Sequence, residues 1–192
     1  MWKESDMGGA VRRHHFTVAE YHRMGEVGLF FTGPRVELLG GEVVEMSPIG
    51  SRHAACVDKL AKVLGAVCGD VATVRSQNPV VLDDESELEP DVALLHPRDD
   101  FYASGHPEPE DIYLAIEVAD SSLHFDRDAK APLYAASGVP QLWIVDLKAG
   151  AIDVYDQPSA GAYQRVRRLL PGERLVLPLQ EGRSLDVADV LP

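Results

Sequence analysis

Asp91, Glu117 and Lys130 are the residues whose types and placement offer chemistry in this chain. Asp91 closes the triplet Glu89-Pro90-Asp91 and opens the apolar run Val92-Ala93-Leu94-Leu95. Glu117 sits near the end of a second apolar run, Ile112 to Val118, and Lys130 lies on the helix-like segment that follows. Two carboxylates at the ends of neighbouring strands supply the hard oxygen donors that Mg²⁺ prefers. With a lysine beside them, such a cation can be held against a phosphodiester, where it lowers the pKa of a bound water and stabilises charge on the phosphoryl oxygens. A carboxylate at the end of a buried strand is costly unless it is paired or metal-bound, which makes Glu117 the hardest of the three to dismiss. Asp91 has a blander reading as the end of a turn after Pro90, and Lys130 one as a solvated helix residue.

The elements that must position these groups follow from patterning. Thr17-Val18-Ala19-Glu20 fits a capping box and predicts a short helix to about Glu26. Residues 35–46 predict a hairpin turning on Gly40-Gly41. Ser51 is placed to cap a helix reaching about Cys68, whose Val57, Leu60, Ala61 and Leu64 form one buried stripe. Strands are expected over 71–76, 80–83, 88–95, 112–118 and 141–146, with Pro90 near the start of its strand, where a missing amide does least harm. The Pro-rich stretch 96–111 predicts a long loop of the kind that gates a site. Residues 126–137 predict a helix closed by Gly138, with Pro132 in its first turn. A meander of 152–155 and 163–168 follows around the Pro158-Ser159-Ala160-Gly161 turn. The fold class is mixed α/β, a central mixed β-sheet flanked by helices.

At 192 residues and 45% hydrophobic, the chain suffices for one sizeable core. We expect residues 1–12 to be a flexible lead-in and residues 13–192 to form a single domain. No apolar stretch approaches the roughly 18 residues of a membrane span, and the N-terminus lacks the apolar core of a signal peptide. Cys56 and Cys68 read as free buried thiols of a reducing compartment. The localisation expected from these features is cytoplasmic. The net charge is −13, from 31 acids against 18 Lys plus Arg. Such a surface opposes nucleic acid, whose affinity rests largely on phosphate neutralisation. Arg12-Arg13-His14-His15 and Arg165, Arg167 and Arg168 are the candidate basic patches that would soften this conflict. Ser121 and Ser122 have no His or Asp partner at a recognisable nucleophile elbow, which argues against a serine hydrolase.

With these residues placed, the chain resembles the Uma-two family of restriction endonucleases, within the PD-(D/E)xK nuclease superfamily. The motifs that carry the resemblance are Leu39-Gly40-Gly41-Glu42, Glu89-Pro90-Asp91-Val92, Ile116-Glu117-Val118-Ala119-Asp120-Ser121-Ser122, Asp126 through Lys130 to Tyr134, and Gly138 through Asp146. The resemblance implies a restriction-endonuclease-like fold with a metal site on its central sheet. It implies Asp91 and Glu117 as ligands of Mg²⁺ or Mn²⁺, the backbone carbonyl of Val118 as a further ligand, and Glu42 as a member of the acidic cluster. The superfamily's lysine falls two residues after the second acid, where this chain has Ala119. Lys130, on the following helix, is the candidate replacement, to orient the attacking water or stabilise developing charge.

Gln141 is a candidate polar neighbour of the site. His53 is either a phosphate contact or simply a polar residue near its helix start. Asp126 reads as a helix cap and Tyr134 as a core aromatic. The function expected is metal-dependent hydrolysis of phosphodiester bonds in DNA. The rival is a non-catalytic binding or assembly module that keeps the nuclease fold. A homodimer would supply the two sites that cutting a duplex requires.

Overall fold

The computed structural model describes residues 12–30, 33–179 and 182–192, so the expected lead-in falls almost wholly outside the described residues. The first helix, α1 (Val18–Glu26), carries the capping box at Thr17 and Glu20. Strands β1 (Val36–Leu39) and β2 (Glu42–Glu45) form the hairpin. Its turn, Gly40-Gly41, has φ of 54° and 80°, a left-handed geometry that glycine adopts without strain. Helix α2 (Ser51–Cys68) begins at Ser51 itself, with Gly50 as its uncapped N-terminal flank, so Ser51 is not the cap expected of it.

The strand expected over 88–95 is two strands in two different sheets. β5 (Ser86–Leu88) belongs to a four-stranded sheet of order β2-β1-β5-β4, where β4 is Val80–Asp83. β6 (Val92–Leu95) belongs to a six-stranded sheet. Glu89-Pro90-Asp91 is therefore the passage between sheets, where proline's missing N–H breaks no ladder. The six-stranded sheet has the order β10-β9-β8-β7-β6-β3, with β3 (Thr73–Ser76), β7 (Ile112–Ala119), β8 (Gln141–Asp146), β9 (Ala151–Ser159) and β10 (Ala162–Leu169). β7 and β8 are parallel and the other described pairs antiparallel, so the sheet is mixed.

A parallel pair needs a crossover, and residues 123–136 supply it. The segment is helical throughout but not uniform: α3 (Leu123–Phe125), a π-helical turn over Asp126–Lys130, then α4 (Ala131–Ala136). The helix thus starts before residue 126, and Pro132 stands at the start of α4, just past the widened turn.

Strand alternation sorts the core onto two faces. Leu114, Ile116 and Val118 of β7 pack with Val57, Leu60 and Leu64 of α2. Ala115 and Ala119 face the other way, toward Ala131 and Tyr134 of α4 and toward Leu39, Val80, Leu82 and Leu88 of the small sheet. Glu117 lies between those two alanines on that second face, where their small side chains leave room for other groups. Beyond the meander, β11 (Arg174–Val176) and β12 (Ser184–Asp186) form a short pair unforeseen in the sequence. Leu175, Leu185, Val187 and Val190 join the α2 core from there. Both cysteines are free and buried.

Candidate active site

Glu117 is 3% exposed and Lys130 1% exposed, on facing elements of the second core. The Lys130 ammonium lies 3.2 Å from Glu117 Oε1 and 3.0 Å from Glu37 Oε2, so it bridges an acid of β7 and an acid of β1. The Tyr134 hydroxyl donates to Glu117 Oε1 at 2.8 Å. Asp126, Lys130 and Tyr134 recur every four residues along the crossover, and all three are buried. The π-helical turn between the first two is a feature frequent at functional sites.

Burial pushes the Glu117 carboxyl well above its ordinary range; Lys130 pulls it back, while Asp126, Asp91 and Glu37 push it higher. Burial likewise raises Glu37 and Asp126. Burial alone would draw Lys130 down, but Glu117, Glu37 and Asp126 outweigh it and hold the ammonium above its usual value. Lys130 is thus held as a cation, and burial makes Glu117, Glu37 and Asp126 hold protons more readily than exposed carboxylates do. Burial also raises Tyr134, keeping it a phenol donor.

Asp91, at the passage between sheets, reaches the same space. Its Oδ2 accepts from the Val118 amide at 2.8 Å and lies 2.9 Å from His53 Nε2. Its Oδ1 accepts from the Gln77 amide nitrogen at 3.4 Å. His53 sits one turn before Cys56 and Val57 on the buried face of α2. Its hydrogen bond to Asp91 raises its pKa against the pull of burial, and its Nδ1 is buried without a partner. Asp91, Glu117, Glu37, His53, Asp126 and Lys130 line one pocket of about 410 Å³. Its lining is rich in carboxylate oxygens, the donor type that hard divalent cations take.

The structure brings together Asp91, Glu117, Lys130 and His53, and Val118 lines the same pocket. It does not bring in Glu42, whose side chain is 63% exposed and 3.8 Å from Arg13. The Gly40-Gly41 turn reverses the chain and leaves Glu42 outside; Glu37, on the preceding strand, takes the third acidic position. Gln141 is also elsewhere: its side-chain oxygen accepts from the Trp143 indole at 2.9 Å. No residue of loop 96–111 lines the pocket, so the loop does not gate it. Most residues of the expected basic patches are taken up by acids. Arg165 and Arg167 pair with Asp156, Arg168 pairs with Asp153 and Asp146, and Arg13, His14 and His15 face Glu42, Glu20 and Glu85 respectively.

Glu37, Asp126 and Tyr134 line the site or bond to it, the latter two in place of a plain helix cap and a core aromatic, and local sequence patterning does not single them out. The missed signal was a spacing, since acid, lysine and tyrosine recur at i, i+4 and i+8 from Asp126. For Glu37 it was an acid lodged among Val36, Leu38 and Leu39.

Among the described residues, no helix is long and apolar enough to cross a membrane. The solved structures similar to this chain include that of "a putative nuclease belonging to DUF820" from Anabaena variabilis ATCC 29413. It is 16% identical, with a TM-score of 0.64 over 82% of this chain and 90% of that one, a likeness of fold. No curated protein matches the sequence. The sequence model of the Uma2 family, described as "Putative restriction endonuclease", matches residues 18–188. Those residues are nearly the whole chain, α1 through the last strand, and the chain belongs to the Uma2 family.

Proposed function

We propose that the chain is a divalent-metal-dependent endonuclease that hydrolyses phosphodiester bonds in DNA, with Asp91, Glu117 and Lys130 at its centre. The observation that carries this reading is the fully buried Lys130 held between Glu37 and Glu117 beside a pocket where acids outnumber cations. Burying so unbalanced a cluster is costly, and a bound cation relieves it. Asp91 and Glu117 are the residues to hold Mg²⁺ or Mn²⁺, with the Val118 carbonyl as a further donor. When bound, the metal supplies an activated water and neutralises charge at the phosphoryl group.

The protein's own groups do the rest. Glu37 and Tyr134 fix Lys130 and Glu117 before substrate arrives, so that the ammonium stabilises developing negative charge at little reorganisation cost. His53 holds the Asp91 carboxylate in place through Nε2.

A second reading, a binding or assembly module on the nuclease fold, draws on the net charge of −13 and on arginines already committed to aspartates. Cleavage of supercoiled plasmid with Mg²⁺ or Mn²⁺ separates the two, comparing wild type with Glu117→Ala and Lys130→Met. Metal-dependent nicking lost in both variants supports the enzyme. Metal binding that needs Glu117, without any cutting by wild type, supports the module. Activity that survives both substitutions removes this site from consideration.

A further inference from the structure

Outside the acidic pocket, His22, Glu87 and His106 place one ligand atom each within 4.8 Å of one another. We infer that these three side chains form a second metal site, selective for a Zn²⁺-like transition ion over Mg²⁺. They come from three separate segments: α1, strand β5 and the 96–111 loop. Each segment is anchored independently of any ion. The Val18 amide of α1 donates to the Asp84 carbonyl at 2.7 Å, and the Tyr21 hydroxyl to the Val36 carbonyl at 2.8 Å. Glu87 is paired with Leu38 on one side and Val81 on the other. The Val81 amide in turn donates to the carbonyl of Pro107, the residue after His106, at 2.9 Å. The backbone therefore delivers His106 to the strand opposite Glu87.

The Glu87 side chain is 7% exposed, and its Oε2 lies 2.6 Å from His22 Nε2. The His106 ring meets the His22 ring edge-on at 6.1 Å and makes no hydrogen bond among the described residues. A plain ion pair between His22 and Glu87 explains two of the three residues and gives no part to His106, whose ring nitrogen lies within 4.8 Å of the ligand atoms of both. An ion shared by all three uses each of them. Two imidazoles and one carboxylate are a donor set that suits zinc and its neighbours, while the exposure of both histidines leaves room for entry and for a water ligand.

The site is distinct from the acidic pocket, since none of the three residues lines it. Glu87 shares a sheet face with its partner Leu38, so Glu37, one residue earlier, points to the opposite face. One small sheet thus carries the acidic site on one side and the histidine site on the other. An ion bound there ties α1 and the long loop to that sheet, which gives the loop a role other than gating.

Equilibrium dialysis of the chelator-stripped protein against Zn²⁺ tests the site, in an Asp91→Asn/Glu117→Gln background that disables the acidic pocket. The expected result is one Zn²⁺ per chain and a higher melting temperature, with tetrahedral-type visible absorption when Co²⁺ replaces zinc. All three signals should disappear on adding His106→Ala, an exposed position whose loss leaves the metal-free circular dichroism and melting unchanged. His22→Ala is the second variant with the same expectation. Absence of zinc binding in the background protein overturns the inference, and so does binding that survives both histidine substitutions.

Discussion

Two regions of this molecule are rich in charge and handle it in opposite ways. On β9 and β10, Asp153 faces Arg168 and Asp156 faces Arg165 as direct cross-strand partners. The contacts are forked, with Arg165 Nε at 2.6 Å from Asp156 and Arg168 Nε at 2.7 Å from Asp153. Arg127 adds a further contact to Asp153 from the π-helical turn. Every acid there has an arginine, and the arginine side chains remain partly in water. In the pocket, Lys130 alone stands between two buried acids, with Asp91 and Asp126 close by. A balanced, half-wet ladder is what structure alone requires; a buried cluster with excess acid is what the proposed metal would relieve. That contrast, more than any motif, separates the site from the rest of the charged surface.

Removing the cation should sharpen the contrast most. Lys130→Met leaves Glu37 and Glu117 uncompensated, and breaking a buried pair in this way costs about 3–5 kcal/mol. For a chain of this size that corresponds to a fall of roughly 10 °C in the melting midpoint of metal-free protein. Turnover should fall by a factor of about 10²–10³, as when one charge-stabilising donor is lost. Divalent metal binding should persist, because the acid excess has grown. Calorimetry of metal binding beside plasmid cleavage reads both quantities. Equal losses in the two would remove the role given to Lys130.

The converse change relieves the cluster. Glu117→Gln keeps an oxygen for Tyr134 and leaves Lys130 its partner Glu37, while deleting a carboxyl that burial disfavours in its charged form. Metal-free Glu117→Gln should therefore melt a few degrees above wild type at neutral pH and should no longer bind Mg²⁺. A lower midpoint without metal would show that Lys130 needs both acids, and the picture of a strained cluster would fail.

The two regions should also answer pH with opposite signs. In the pocket, the folded values of Glu117, Glu37 and Asp126 are raised. Their contribution to stability is complete below the unfolded carboxylate range and is lost as pH rises through the folded values. His53, also raised, acts in the same direction as pH rises through its own folded value. In the ladder, burial works against Asp153, but its bonds to Arg168 and Arg127 prevail and lower it. Its contribution is present above the unfolded carboxylate range and is lost as pH falls through the lowered value. Saturating Mg²⁺ should raise the melting midpoint more at pH 8 than at pH 6, because protons compete with the metal for carboxylates whose affinity for them is raised. A stabilisation by Mg²⁺ independent of pH would mean that no such competition takes place.

What the sequence made legible was the frame and the residues attached to regular patterns. The unbroken apolar run of β7 marked a strand buried on both faces and made Glu117 conspicuous. The stripe of α2 and the Gly40-Gly41 turn were equally plain. What stayed hidden depends on contacts between distant residues or on a break in periodicity. Glu37 looks like an ordinary hairpin acid until its partner Lys130 arrives 93 residues later. The passage of Glu89-Pro90-Asp91 from one sheet to the other looks like one strand, because local patterning carries no record of which sheet a strand joins. A π-helical turn has no apolar period of its own, so the segment around Asp126 read as an ordinary helix start.

The smallest effects test whether the ladder is only structural. Arg165 ends in a cross-strand fork at the exposed edge, and solvent screens such pairs heavily. Arg165→Ala should leave both the melting midpoint and cleavage within the scatter of repeated measurements. Arg127 differs in position though not in chemistry. Its partner Asp153 lies on β9, while its neighbours in sequence, Asp126 and Lys130, face the pocket from the same π-helical turn. The ladder thus grips from outside the turn that presents the lysine within. Arg127→Ala should change stability little and lower kcat severalfold at unchanged KM, with Arg127→Lys recovering part of the loss. If Arg127→Ala and Arg165→Ala behave alike in both measurements, the ladder and the pocket are independent, and the π-helical turn holds Lys130 in place without help from β9.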